Sequence, residues 1–203
     1  MTEVVLNALY RADNYFQSGG IVMVPLIVIS VVMWLLIINR AFYFRRLYRK
    51  NMDTRTAWDH IRKNTMPDPG RYQGAVSMLV AEFIRGRSGD SVLDRFILDE
   101  TVLRINRSMD DYLSFIGALA AVAPLMGLLG TVIGMIVTFD VISVFGTGNA
   151  RAMAGGISEA LITTQTGLLV AIPGLYMKGY LDRRAQKLKQ RISVVGYYLW
   201  RHL

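Results

Sequence analysis

The chain has 203 residues, of which 53% are hydrophobic and 19% charged, with a net charge of +8 and a mean hydropathy of +0.33. It is too apolar for an ordinary soluble domain and too charged for a bundle sunk wholly in lipid. The expectation is a few spanning helices plus one modest part outside the bilayer. The basic residues gather beside hydrophobic segments and no nucleic-acid motif or aromatic platform accompanies them, which sets aside nucleic acid as a partner. There is no cysteine, hence no disulfide, thiolate metal site or thiol nucleophile, and the two histidines, His60 and His202, are far apart in sequence. Neither a metal nor another cofactor is expected.

Within residues 1–20 the apolar positions Val4, Val5, Ala8, Leu9, Ala12 and Phe16 fall near helical spacing. They predict a short interfacial helix with Tyr10, Tyr15 and Phe16 at headgroup depth, broken by Gly19-Gly20. This start lacks the apolar run and cleavage pattern of a signal peptide, so the first span is expected to stay as an anchor. That span covers residues 21–44: Ile21 to Ile38 carries no charge, with Pro25 near its start. Arg40, Arg45, Arg46, Arg49 and Lys50 follow at once, which places this end in the cytoplasm and the N-terminus outside.

Residues 45–112 mix basic and acidic residues and read as a cytoplasmic helical domain. Asp53 or Thr54 is placed to cap a helix running to about Asn64, and Met66-Pro67-Asp68-Pro69-Gly70 is a turn. A second helix is predicted over Arg71–Arg87, with Val76, Leu79, Val80 and Phe83 on one face and Gly86 and Gly89 at its end. A third, from Ser91, has no clear stop before the next apolar run and is expected to continue into it as one long helix.

The second span, residues 113–144, is roughly 48 Å long as a helix, more than the ~30 Å of hydrocarbon requires. A Gly-rich outer loop with one charge, Arg151, is expected over 145–156. The third span covers 157–177, and the C-terminal helix 178–203 begins with Lys178, Arg183, Arg184, Lys187, Lys189 and Arg191, so the C-terminus is cytoplasmic. Its apolar positions Leu181, Ala185, Leu188, Ile192, Val195 and Leu199 make a heptad-like seam, to be packed on a helix of the same subunit or of a neighbour. The fold class is all-α: three transmembrane helices with long helical extensions.

Both later spans carry a stripe of small residues. Gly127, Thr131, Gly134 and Thr138 share one face of the second, with Gly130 and Pro124 close by. Ala160, Thr164, Gly167, Ala171 and Gly174 share one face of the third, and Pro173 is counted with them as Pro124 is with the second. Such stripes pack helices closely, and the hydroxyls of Thr131 and Thr164 within them point to a pore-facing role. Two acids, Asp140 and Glu159, flank the outer loop, and an acid within a span is a functional candidate. Asp140 could instead be interfacial or pair with Arg151. Glu159 heads a polar strip with Thr163 and Thr166, and Glu159 and Thr163 are taken with Thr131 and Thr164 as lining a proton pathway; Gln165 adds an amide at mid-depth. No titratable group stands near the membrane centre, and threonine does not carry protons by ordinary ionisation. A proton path along these stripes therefore needs an acid from another polypeptide. No phosphate loop, nucleophile–base pair or metal-ligand spacing supports an enzyme.

Ala123–Gly134 reads A-P-L-M-G-L-L-G-T-V-I-G, and the stretch ending at Pro173 fits G-I-x-E-A-L-x-x-T-x-x-G-L-x-x-A-I-P. Together these resemble the motifs of the ExbB/TolQ/MotA proton-channel family, on its ExbB/TolQ-like side. The resemblance implies a bacterial inner-membrane protein forming a pentameric ring whose second and third spans line a pore. Inside would sit a smaller ExbD/TolR-like partner with an intramembrane aspartate, the pair converting proton motive force into work on a TonB- or TolA-like protein. Thr131 and Thr164 match the family's pore-lining threonines and Glu159 its third-span glutamate. Gln165, where a small residue is usual, and Ile133, where tryptophan is frequent, depart from the pattern. The alternative is a passive membrane scaffold whose stripes serve packing alone.

Overall fold

A computed structural model describes residues 19–49, 51–146 and 149–203, and the regular structure among them is entirely helical. The interfacial helix expected within residues 1–20 lies almost wholly outside the described residues. Among the described residues six helices follow in chain order: α1 Met23–Tyr48, α2 Thr54–Arg62, α3 Ala75–Gly86, α4 Ser91–Asp110, α5 Leu113–Phe145 and α6 Ala150–His202. Three stretches are long and apolar enough to cross a membrane, those containing α1, α5 and α6. The chain divides into two compact units. One takes the described residues up to Leu36 together with Phe115–Lys178; the other takes Ile37–Ser114 and Gly179–Leu203.

In the first unit α1 starts after a turn in which Gly20 has φ +62° and its carbonyl accepts from the Met23 N–H at 3.2 Å. Pro25 falls in the first turn, where a backbone N–H has no helical acceptor to lose. Val22, Met23, Leu26, Ala123 and Ala171 form the buried core, with Ile29, Met126, Ile133, Ile162 and Val170 against it.

The second unit has its own core, including Phe44, Ile61, Leu79, Phe83, Leu98 and Ile105. Asp53 occupies the N-cap of α2 without a side-chain capping bond. The turn before α3 holds Arg71 and Tyr72, whose N–H groups bond the Asp68 carbonyl, so α3 begins at Ala75 rather than Arg71. At α4 the Asp90 carboxylate caps the Val92 N–H at 2.9 Å. A second acid, Asp94, is 1% exposed and gathers four donors. Arg87 Nε and the Ser88 N–H donate at 2.8 Å, the Ser88 hydroxyl at 3.1 Å and the Gly89 N–H at 3.3 Å. Burial pushes the Asp94 carboxyl up, but Arg87, Ser88 and Gly89 outweigh it and hold it below its ordinary value. Arg87 also donates to the Ile61 carbonyl at 2.9 Å, tying the end of α2 to the start of α4.

Two sequence expectations change here. The long helix expected from Ser91 onward is broken: Asp111 is extended and Tyr112 sits at φ +63°, so α4 ends at Asp110. Near the break, Arg40 is buried, stacks on Tyr43 and Phe44, and donates to the Ser108 carbonyl in the last turn of α4, where backbone acceptors are unpaired and a positive charge is favoured. The segment expected as a loop over 145–156 is partly helical, because α6 begins at Ala150. Asn149 supplies the cap, its Oδ1 accepting from the Ala152 N–H at 3.2 Å. The third span and the C-terminal segment are one helix of 53 residues. The seam from Leu181 to Leu199 is buried within the subunit, with Gly196 against Val102 of α4, Asn106 bonded to Ser193, and Lys189 paired with Asp110 at 2.5 Å.

Candidate functional site

The small-residue stripes of α5 and α6 face each other and run antiparallel. A methyl group added at Gly167 would lie 2.7 Å from the Ala123 carbonyl oxygen; one at Gly127 would lie 3.1 Å from Thr164 Cα; one at Gly134 would lie 2.6 Å from the Gly156 carbonyl oxygen and 2.9 Å from Ala160 Cβ. Gly130 meets the Thr163 side chain and Gly156 meets Thr138 in the same way. The two backbones touch along four turns, and only residues without a side chain allow it. Ala160 and Ala171 are buried with them, Pro124 is half-buried and Pro173 exposed.

The threonines divide by their position on this seam. Thr138 and Thr163 are buried inside it, Thr163 completely. Each donates back to its own helix: Thr138 to the Gly134 carbonyl at 2.9 Å, Thr163 to the carbonyls of Glu159 and Ala160 at 3.0 and 2.9 Å. Thr131 and Thr164 are half-exposed at the rim. At 100° per residue, Thr131 lies about 40° to one side of Gly127 and Thr164 about 60° to one side of Gly167. Because the helices are antiparallel, these are the same edge of the seam. The Thr164 hydroxyl lies 3.2 Å from the Gly127 carbonyl and 3.1 Å from the Ala160 carbonyl, its candidate acceptors; Thr131 donates to the Leu128 carbonyl at 2.6 Å. With their protons committed to carbonyls, both oxygens remain acceptors toward whatever lies at that edge.

Glu159 goes elsewhere. It is five residues, or about 140°, from Thr164 around α6, and its carboxylate lies against the backbone of Gly20 at the entrance to α1. A side chain at Gly20 would occupy the space of that carboxylate. Asp140 and Arg151 are both exposed and form no ion pair with each other, and Gln165 is exposed on the side of α6 away from α5. The Gly20 contact was not foreseen; the Gly19-Gly20 pair was its only sequence signal. No group of metal-ligating side chains is found among the described residues.

Apolar helices packed through glycine, with two hydroxyls on one edge and no ionisable side chain level with them among the described residues, define a multi-pass membrane protein built around a close-packed helix pair. The outer faces of that pair are apolar and exposed, as at Leu125, Val132, Ile136, Leu161, Leu169 and Ile172. The chain belongs to the MotA/TolQ/ExbB proton channel family, whose model matches residues 75–194. A protein named putative biopolymer transport protein ExbB-like 1 from Synechocystis sp. is 30% identical over 196 residues, covering 92% of this chain and 76% of its own. Putative biopolymer transport protein ExbB homolog of Methanothermobacter thermautotrophicus is 28% identical, covering 97% and 74%. Biopolymer transport protein ExbB of Neisseria meningitidis is 28% identical over 207 residues, covering 91% and 93%. Within the family the chain is therefore ExbB-like.

Proposed function

We propose that this chain is the ring-forming channel subunit of a bacterial inner-membrane biopolymer transport system, with its N-terminus periplasmic and its C-terminus cytoplasmic. With a single-span ExbD/TolR-like partner it converts proton motive force into work on a TonB- or TolA-like protein, serving outer-membrane transport or envelope integrity. The observation that carries this reading is the pair of hydroxyls, Thr131 and Thr164, on one edge of the seam, with no titratable group level with them among the described residues. A protonated carboxyl brought by the partner would donate to these oxygens. On losing its proton toward the cytoplasm it would lose that bond and shift. Glu159 is assigned to the outer end of the path, where a proton arrives, and the glycines and alanines of the seam hold the two helices of each of five subunits together.

The test is proton flux. Chain and partner are co-purified and reconstituted into vesicles carrying a pH-sensitive dye inside. Thr131→Ala with Thr164→Ala is expected to lower flux while the assembly keeps its mass; unchanged flux through a stably assembled double variant would sink the proposal. The seam's complete use within one subunit favours a second reading, a passive scaffold. In that case flux equals that of empty vesicles and Glu159→Gln changes neither flux nor assembly.

A further inference from the structure

Where α1 and α6 leave their apolar stretches, the second unit carries a pocket of about 190 Å³ lined by Ala41, Phe44, Arg45, Tyr180, Leu181 and Arg184. Two guanidinium groups line it and no carboxylate does. Arg45 is exposed and makes no ion pair among the described residues. Arg184 is held in place instead. Its guanidinium lies 5.0 Å from the ring centroids of both Tyr48 and Tyr180, and the Tyr48 hydroxyl donates to its backbone carbonyl at 3.3 Å. A guanidinium whose faces rest on aromatic rings keeps its N–H groups in the plane, turned outward as a fork. Arg40, one turn earlier on α1, shows the contrast: it too stacks on aromatic rings, but it is buried and donates to the Ser108 carbonyl.

The depth of the pocket identifies the anion. Ala41 comes three residues after Ile38, the last apolar residue before Asn39-Arg40 on α1, and Tyr180 four residues after Tyr176 on α6. Tyrosine and arginine at the end of a span mark the headgroup layer. A phosphate is the anion at that level, and arginine forks match its oxygens.

We propose that this pocket binds the phosphate of an anionic phospholipid headgroup. Arg45 and Arg184 donate to its oxygens, with Ala41 and Tyr180 at the pocket wall beside them. The proposal rests on α1 and α6 spanning the membrane and not on proton conduction.

The test uses the full chain, released from membranes of mixed phosphatidylglycerol and phosphatidylcholine and weighed with its bound lipids by native mass spectrometry. The wild type is expected to retain phosphatidylglycerol preferentially, and Arg45→Gln with Arg184→Gln to cut that preference about tenfold. Arg183→Gln with Lys187→Gln removes the same charge from exposed positions and is expected to keep it. An unchanged preference in the first pair, or equal losses in both, overturns the site. Arg45→Lys with Arg184→Lys preserves the charge needed for insertion and should still lose about threefold, since an ammonium lacks the fork; a wild-type preference there also overturns it. Excess inorganic phosphate should leave the bound lipid in place, and displacement would assign the pocket to soluble phosphate and refute the lipid.

Discussion

Gly167→Ala tests the seam with the smallest possible change. The added methyl would stand 2.7 Å from the Ala123 carbonyl oxygen, 3.1 Å from Gly127 Cα and 3.3 Å from Gly127 N. All three are backbone atoms, so no side chain can swing aside and the helices must part by about 0.5–1 Å. A gap of that size forfeits a quarter to a half of the dispersion energy across the contact, and overpacking of this kind costs about 1–3 kcal/mol. Gly179, on the same helix, has nothing within 4 Å of the equivalent methyl. Both substitutions gain about 1 kcal/mol of helix propensity, so the difference between them isolates the steric cost. Unfolding in mixed micelles with increasing sodium dodecyl sulfate, followed by the helical circular-dichroism signal, should place Gly167→Ala about 1–3 kcal/mol below Gly179→Ala. Equal stability of the two variants would refute close backbone approach at this seam.

Two further expectations concern the second unit. Asp94→Asn removes the charge from a carboxylate that is 1% exposed and bonded to Arg87, at a cost of about 3 kcal/mol at neutral pH measured by thermal or denaturant unfolding. Because the folded Asp94 carboxyl titrates below its unfolded value of about 3.9, its contribution is full above that pH and is lost as pH falls through the folded value. The wild type should therefore lose stability below about pH 4 more steeply than Asp94→Asn. Tyr112→Gly relieves a left-handed residue that is 58% exposed. The same unfolding assay should show a gain of up to about 1 kcal/mol, and a loss would mean that the ring's contacts outweigh its backbone strain.

The three apolar stretches were legible as long runs with few charges, and the two small-residue stripes and the C-terminal seam as local periodic patterns. Boundaries set by a few polar bonds were not. Nothing between Ser91 and Tyr112 announces a stop, since tyrosine is no helix breaker; the break shows only as the positive φ of Tyr112. The early start of α6 hangs on one Asn149 cap. The polar strip of Glu159, Thr163 and Thr166 looked like one face of the third span. In three dimensions Thr163 is buried against α5 while Glu159 rests on the turn at Gly20.

By itself the sequence determined that this is an all-helical membrane protein and where its apolar segments lie. Those properties depend on composition and on residues three or four apart along one helix. Which stripe meets which, that Thr131 and Thr164 fall on one edge while Glu159 turns away, and that Arg45 and Arg184 line one pocket were decided only by the tertiary structure. Each depends on the rotation and direction of two helices packed side by side, and a period of 3.6 residues fixes the faces of a helix without fixing its neighbour.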